Sequence, residues 1–230
     1  MPFVPLLRAE EPHKAVRTLQ VGIIFAHLHL KQPVQAFSTL VDLYDAGHPL
    51  PERAAEQMVE ELAKQASAVD ESYFLLETRK AEARSVPLPA VNMIIEACAV
   101  MCDLDRAFAT WAELEQLELK PDAGTFNALL HTCVRTREIA SGRRLLSRMS
   151  QDGVAADATT YMHQASLHVM SREDGLALKV LESCRDAGFV PHGRMYAGLI
   201  NMCVRSRKFE HAQVRLLERA ADPALPWTLA

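Results

Sequence analysis

The chain has 230 residues and 25.6 kDa, is 49% apolar and 23% charged, and contains only 9 glycines, a composition that excludes a disordered or fibrous protein. Its formal net charge of −4 disfavours indiscriminate binding to DNA or membranes. The charge is uneven, with −8 over residues 1–122 and +4 over residues 123–230, so a polyanion should prefer the C-terminal half.

Residues 1–16 read as a lead: Met1 to Glu11 is neither Arg- and Ser-rich like a transit peptide nor built like a secretory signal. Val21 to Leu30 is apolar but interrupted by His27 and His29. It falls well short of the roughly 20 residues of a spanning helix, so no membrane insertion is expected. The two histidines, two apart on a predicted helix, point to different faces and make no ligand pair. Five cysteines without paired spacing predict free thiols in reducing surroundings.

A fixed period then runs along the chain. Cys133-Val-Arg-Thr-Arg-Glu138 and Cys203-Val-Arg-Ser-Arg-Lys208 stand 70 apart, and Cys98 stands 35 before Cys133. Small residues recur at the same step at Ser72, Ala107, Gly142, Ala177 and Ala212. The step defines units at about 17–51, 53–87, 88–122, 123–157, 158–192 and 193–222, with 223–230 as a tail. In 53–87, Glu56 and Glu60 occupy expected apolar positions, which predicts a distorted unit.

In 123–157, Phe126, Leu129, Leu130 and Cys133 follow the i, i+3, i+4, i+7 spacing of one helical face, with a stop near Arg135. A second series, Ile139, Leu145, Leu146 and Met149, ends at Gly153, whose counterpart is Gly188. Thr136, Ser171 and Ser206 are predicted to cap the second helices. The recurring small residues are expected to pack each second helix against the first helix of its own unit. With no strand pattern in competition, the fold predicted is all-α, an α-solenoid of about six stacked helical hairpins.

Thr125-Phe-Asn-Ala-Leu-Leu130, the stretch Met149 to Gly153 and Leu119-Lys-Pro-Asp122 resemble the pentatricopeptide repeat family, closely over 88–212 and more weakly over 17–87. The resemblance implies a right-handed superhelix that binds single-stranded RNA in a mitochondrion or plastid. It also implies that first helices line the concave face and that the fifth and last residues of each unit choose a base. Carried over, the pairs are Val21 with Pro51, Gln57 with Pro87, Asn92 with Asp122, Asn127 with Asp157, and Met162 with His192. The two Asn–Asp pairs resemble the family's uracil combination; the alternative is that Asp122 and Asp157 simply cap the next helix. The aliphatic wedge that the family places second in each unit is replaced by Pro89, Gly124, Thr159 and Arg194, which counts against a long sequence-specific track.

Arg137, Arg172 and Arg207 recur where the family more often has glycine, flanked by Arg135 and Arg205. They are expected to meet RNA phosphates or an acidic partner; the alternative is pairing with their own units' acids, such as Glu138, Glu173 or Glu210. Cys98 repeats as Cys133 and Cys203, so packing explains it better than a metal face shared with Cys102. Glu113, Glu115 and Glu118 read as a solvated run late in a second helix. No phosphate loop, nucleophile elbow or zinc-protease pair is present. The chain is therefore expected to be a non-catalytic adaptor without metal or cofactor. Its expected partners are single-stranded RNA or rRNA and protein subunits of an organellar ribonucleoprotein such as a ribosome or RNA-processing assembly. The alternative is a purely protein-binding scaffold subunit.

Overall fold

Apolar residues three and four apart fold locally into helices, and the 35-residue step pairs those helices into hairpins. A computed structural model describes residues 12–191 and 193–205. The helices are α1 (Pro12–His29), α2 (Pro33–Asp45), α3 (Glu52–Leu62), α4 (Ala66–Ala81), α5 (Leu88–Met101) and α6 (Leu104–Ala112). They continue with α7 (Ala123–Thr136), α8 (Ile139–Gln151), α9 (Ala158–Met170), α10 (Asp174–Asp186) and α11 (Gly193–Arg205). Among the described residues there is no strand, and no helix is long and apolar enough to cross a membrane. Odd-numbered helices stack in series from α1 to α11, and each even-numbered helix packs between the odd helices before and after it. The chain is an all-α solenoid. Ser206, Arg207, Glu210 and Ala212 lie outside the described residues, as does His192.

One apolar core runs from Ile24 to Leu167, through Phe37, Leu76, Ile94, Phe126 and Leu130. A second, from Met162 to Cys203, is centred on Leu181, Tyr196 and Leu199. Helix α9 contributes to both, giving Leu167 to the first and Met162 and Ala165 to the second. The 53–87 unit still forms a hairpin because α3 turns Ala54, Met58, Val59 and Leu62 inward and leaves Glu56 and Glu60 exposed.

Three local expectations are corrected. Thr136 and Ser171 do not start second helices; they end first ones, each hydroxyl donating to the carbonyl four residues back, Thr132 and Leu167, at 2.9 Å. The next helices begin after Glu138 and Glu173, with no side-chain cap at either. Gly142 does not face the first helix of its own unit. A Cβ there would lie 2.7 Å from Leu167 Cδ1 on α9, so the small residue lets the following unit approach. Glu113, Glu115 and Glu118 lie beyond the end of α6, in the turns that follow it.

Left-handed backbone recurs at the same step. Cys102, Arg137 and Arg172 have φ of 56°, 61° and 59°, and Ala83, Glu118, Gly153 and Gly188 have φ of 56°, 59°, 71° and 82°. The first series closes first helices and the second closes second helices. Glycine tolerates this conformation without cost, whereas an arginine there is strained.

Candidate functional site

A cleft of about 430 Å³ runs across α3, α5, α7, α9 and α11. Pro89, Gly124, Thr159 and Arg194, the second residues of four successive units, all line it, as do Asn92, Asn127 and Met162.

Two polar brackets repeat along this cleft. Asp157 caps α9, its Oδ1 accepting from Thr160 N at 2.8 Å, and the Thr160 hydroxyl accepts in return from Asp157 N at 3.2 Å. Asn127 reaches across from α7, where Nδ2 donates to both Asp157 carboxylate oxygens at 3.0 Å and Oδ1 accepts from Thr160 Oγ1 at 2.8 Å. One unit earlier, Asp122 caps α7 through Thr125 N at 2.8 Å. Asn92 Nδ2 donates to Asp122 Oδ1 at 3.1 Å, and Asn92 Oδ1 accepts from Thr125 Oγ1 at 2.7 Å. The capping alternative is therefore met at both positions, and each capping carboxylate also holds the asparagine of the preceding unit. The bond to Asp122 uses one of the two Asn92 amide protons. Asn127 is 9% exposed, while Asn92 is half-buried and Asp122 exposed.

The threonines that complete the brackets had no role in the sequence reading. Their signal is a threonine 33 residues after each bracketing asparagine. Deeper in the cleft, His131 Nδ1 meets Glu96 Oε1, and its ring stacks on His163 at 5.6 Å and 26°. Glu52 and Glu56 make the α3 end acidic.

The arginines differ in what they touch. Arg135 Nη2 donates to the Val100 carbonyl of α5 at 3.2 Å, closing a terminus of the preceding unit. Arg137 and Arg172 are exposed and make no ion pair among the described residues. The expected partner of Arg172 is engaged elsewhere: Glu173 Oε2 meets His168 Nδ1 at 2.7 Å and Arg143 Nη2 at 2.5 Å. These two contacts hold the Glu173 carboxyl below its ordinary pKa. Arg172 and Arg205 together line a smaller cleft of about 220 Å³ with Asp174.

Burial pushes the Cys98 thiol up to about 12, with a smaller contribution from the Asp103 charge, and the Cys133 thiol up to about 11. Both are protonated and unreactive at neutral pH. Among the described residues no group of His, Cys, Asp and Glu could hold a metal ion.

The family described as pentatricopeptide repeat-containing protein matches residues 21–114, and that described as pentatricopeptide repeat domain matches residues 144–206. A mitochondrial pentatricopeptide repeat-containing protein of Arabidopsis thaliana is 27% identical over 204 residues, covering 83% of this chain and 32% of its own length. The chain thus spans about a third of the curated relative it matches. The fold is shared with the pentatricopeptide repeat protein PPR10 in complex with an 18-nucleotide psaJ RNA element. That match has a TM-score of 0.60 at 18% identity, over 86% of this chain and 29% of the other. A second crystal structure, of PPR10 from maize, matches at a TM-score of 0.55 and 18% identity, over 90% of this chain and 31% of the other.

Proposed function

The chain belongs to the pentatricopeptide repeat family, and from that premise we propose that it is a non-catalytic adaptor holding single-stranded RNA along the cleft of its first helices. The array comprises six units over residues 17–222 and works inside a mitochondrial ribonucleoprotein. The mitochondrial assignment follows the Arabidopsis relative, and the RNA assignment follows the PPR10 complex.

The observation that carries the reading is the pair of brackets, Asn92 with Asp122 and Asn127 with Asp157, set 35 residues apart on one cleft. Uracil offers two carbonyl acceptors and one N–H donor, which suit an amide proton and a carboxylate respectively. Two such positions supply a few kcal/mol of discrimination at most. Arg135, Arg137, Arg172, Arg205 and Arg207 add sequence-independent phosphate contacts, in keeping with the +4 charge of residues 123–230.

The test is the binding of oligo-U and oligo-A by the wild-type chain and by Asn92→Ala with Asn127→Ala. A preference for oligo-U that disappears in the double variant supports base reading; equal discrimination in both proteins refutes it. Exchanging Arg137, Arg172 and Arg207 for glutamine should lower the salt slope by up to about three units. A second reading, a purely protein-binding scaffold, is favoured by the acidic end at Glu52 and Glu56 and by the non-aliphatic Pro89, Gly124, Thr159 and Arg194. Absence of RNA from the native complex, with partner proteins retained, would select it.

A further inference from the structure

The even-numbered helices form the face opposite the cleft, and around α6 that face is open. Helix α6 makes no close backbone approach to α4 or to α8, so an apolar groove lies on each side of it. The groove toward α4, about 440 Å³, holds Tyr73 and Phe74 among the carboxylates Asp70, Glu77 and Glu113; Arg106 of α6 reaches across it to pair with Asp70, so the lining stays acidic on balance, and Phe74 is 67% exposed. The groove toward α8, about 420 Å³, is floored by Leu104, Phe108, Trp111 and Leu145 and walled by Arg144 and Arg148, with Asp105 opposite them, so its lining is basic on balance. Between them α6 exposes Ala109 and Ala112, which hold no neighbour at a distance.

We propose that this face is a self-complementary interface and that a second copy of the chain occupies both grooves. A two-fold axis lying in the face and running parallel to α6 sets α6 against α6. The same rotation places α4 of each copy opposite α8 of the other. The acidic groove carrying Phe74 then meets the basic groove carrying Trp111, and symmetry repeats that match on the other side of the axis. Phe74 supplies an aromatic anchor and the Trp111 groove a receptor of suitable chemistry. Arg148 now bonds Asp152 at 2.8 Å and Arg144 bonds Ser141 at 3.0 Å, both exposed contacts within or just beyond their own helix. Such contacts contribute little and can be exchanged for carboxylates of a partner. The odd-numbered helices and their cleft are left uncovered, so this proposal stands or falls apart from RNA binding.

The experiment is sedimentation equilibrium of the full chain, with helicity by circular dichroism as the check on folding. Asp70→Arg with Glu77→Arg makes both α4 and α8 basic, and Arg144→Glu with Arg148→Glu makes both acidic. Wild type should self-associate to a dimer, and each variant alone should dimerise at least about tenfold more weakly. An equimolar mixture of the two should recover a dimer, because each α4 again faces an α8 of opposite charge. Phe74→Ala should weaken the wild-type dimer without changing helicity. A wild-type chain that stays monomeric at every concentration reached, folded variants that dimerise as wild type does, or a mixture that stays monomeric would each overturn the proposal.

Discussion

Replacing Asp157 with alanine removes two things at once. The cap on α9 goes, with the bond to Thr160 N at 2.8 Å, for about 1 kcal/mol within a range of roughly 0.5–2. The Asn127 amide, 9% exposed, loses both carboxylate acceptors at 3.0 Å, and an unsatisfied buried donor costs about 1–3 kcal/mol. Together the change should cost about 2–4 kcal/mol. The same change at Asp122 should cost less, about 1–2 kcal/mol, because that carboxylate is exposed and water can reach the half-buried Asn92 amide. Urea unfolding at unchanged m measures both, and a cycle of Asp157→Ala, Asn127→Ala and their combination should return a coupling of about 0.5–3 kcal/mol. The reasoning fails if Asp157→Ala costs no more than Asp122→Ala, or if the cycle is additive. The same series separates packing from recognition, since Asn127→Ala keeps the Asp157 cap while removing the proposed base contact.

Three more outcomes can be measured. Arg172→Gly relieves a left-handed residue with φ of 59° and should raise stability by about 0.5–1 kcal/mol, the roughly 1–2 kcal/mol steric relief exceeding the added chain entropy; a fall in the unfolding midpoint would contradict this. Gly142→Ala sets a Cβ 2.7 Å from Leu167 Cδ1, and the overpacking, about 1–3 kcal/mol, should outweigh the helix-propensity gain of about 1 kcal/mol; the penalty should vanish when Leu167→Ala is combined with it. Among the five free cysteines Cys102 alone is exposed, so native protein at pH 8 should release about one fast equivalent of thiol. The Cys98 thiol rises from 9.0 to about 12 on burial. The folded chain therefore holds that proton more tightly than the unfolded chain. Its stabilising contribution is complete below about 9 and is lost as pH climbs toward 12, a decline that Cys98→Ser should reduce.

The 35-residue step located the first helices well, because Leu88, Ala123, Ala158 and Gly193 each open one. Boundaries inside the hairpins were harder. A hydroxyl between two helices only two residues apart can bond back into the turn before it or forward into the turn after it, and composition does not separate these. Thr136 and Ser171 take the backward bond. Gly142 was misassigned because a second helix touches two first helices, and periodicity marks that it is buried but not by which neighbour. The left-handed arginines were half legible: glycine's frequency at that position in related repeats was the clue to the backbone, whereas their recurrence in the basic half of the chain drew the reading toward charge. Asn92 and Asn127 were found by position alone. That Thr125 and Thr160 lock them depended on a contact across 33 residues, which no local pattern displays. The open face beside α6 was invisible for the same reason, since it depends on spacing between helices rather than on the composition of any one.

Helix α9 belongs to two cores, and the amide staple that ties earlier units together is replaced there by the thioether of Met162, which has no proton to donate. The junctions from α5 to α7 and from α7 to α9 are stapled in this way, and the junction beyond α9 is not. In a quasi-one-dimensional stack each junction carries its own free energy, so thermal opening and applied tension concentrate at the weakest one. On the proposed reading, a strand laid along the cleft would meet stapled side chains at Asn92 and Asn127 and an unstapled one at Met162.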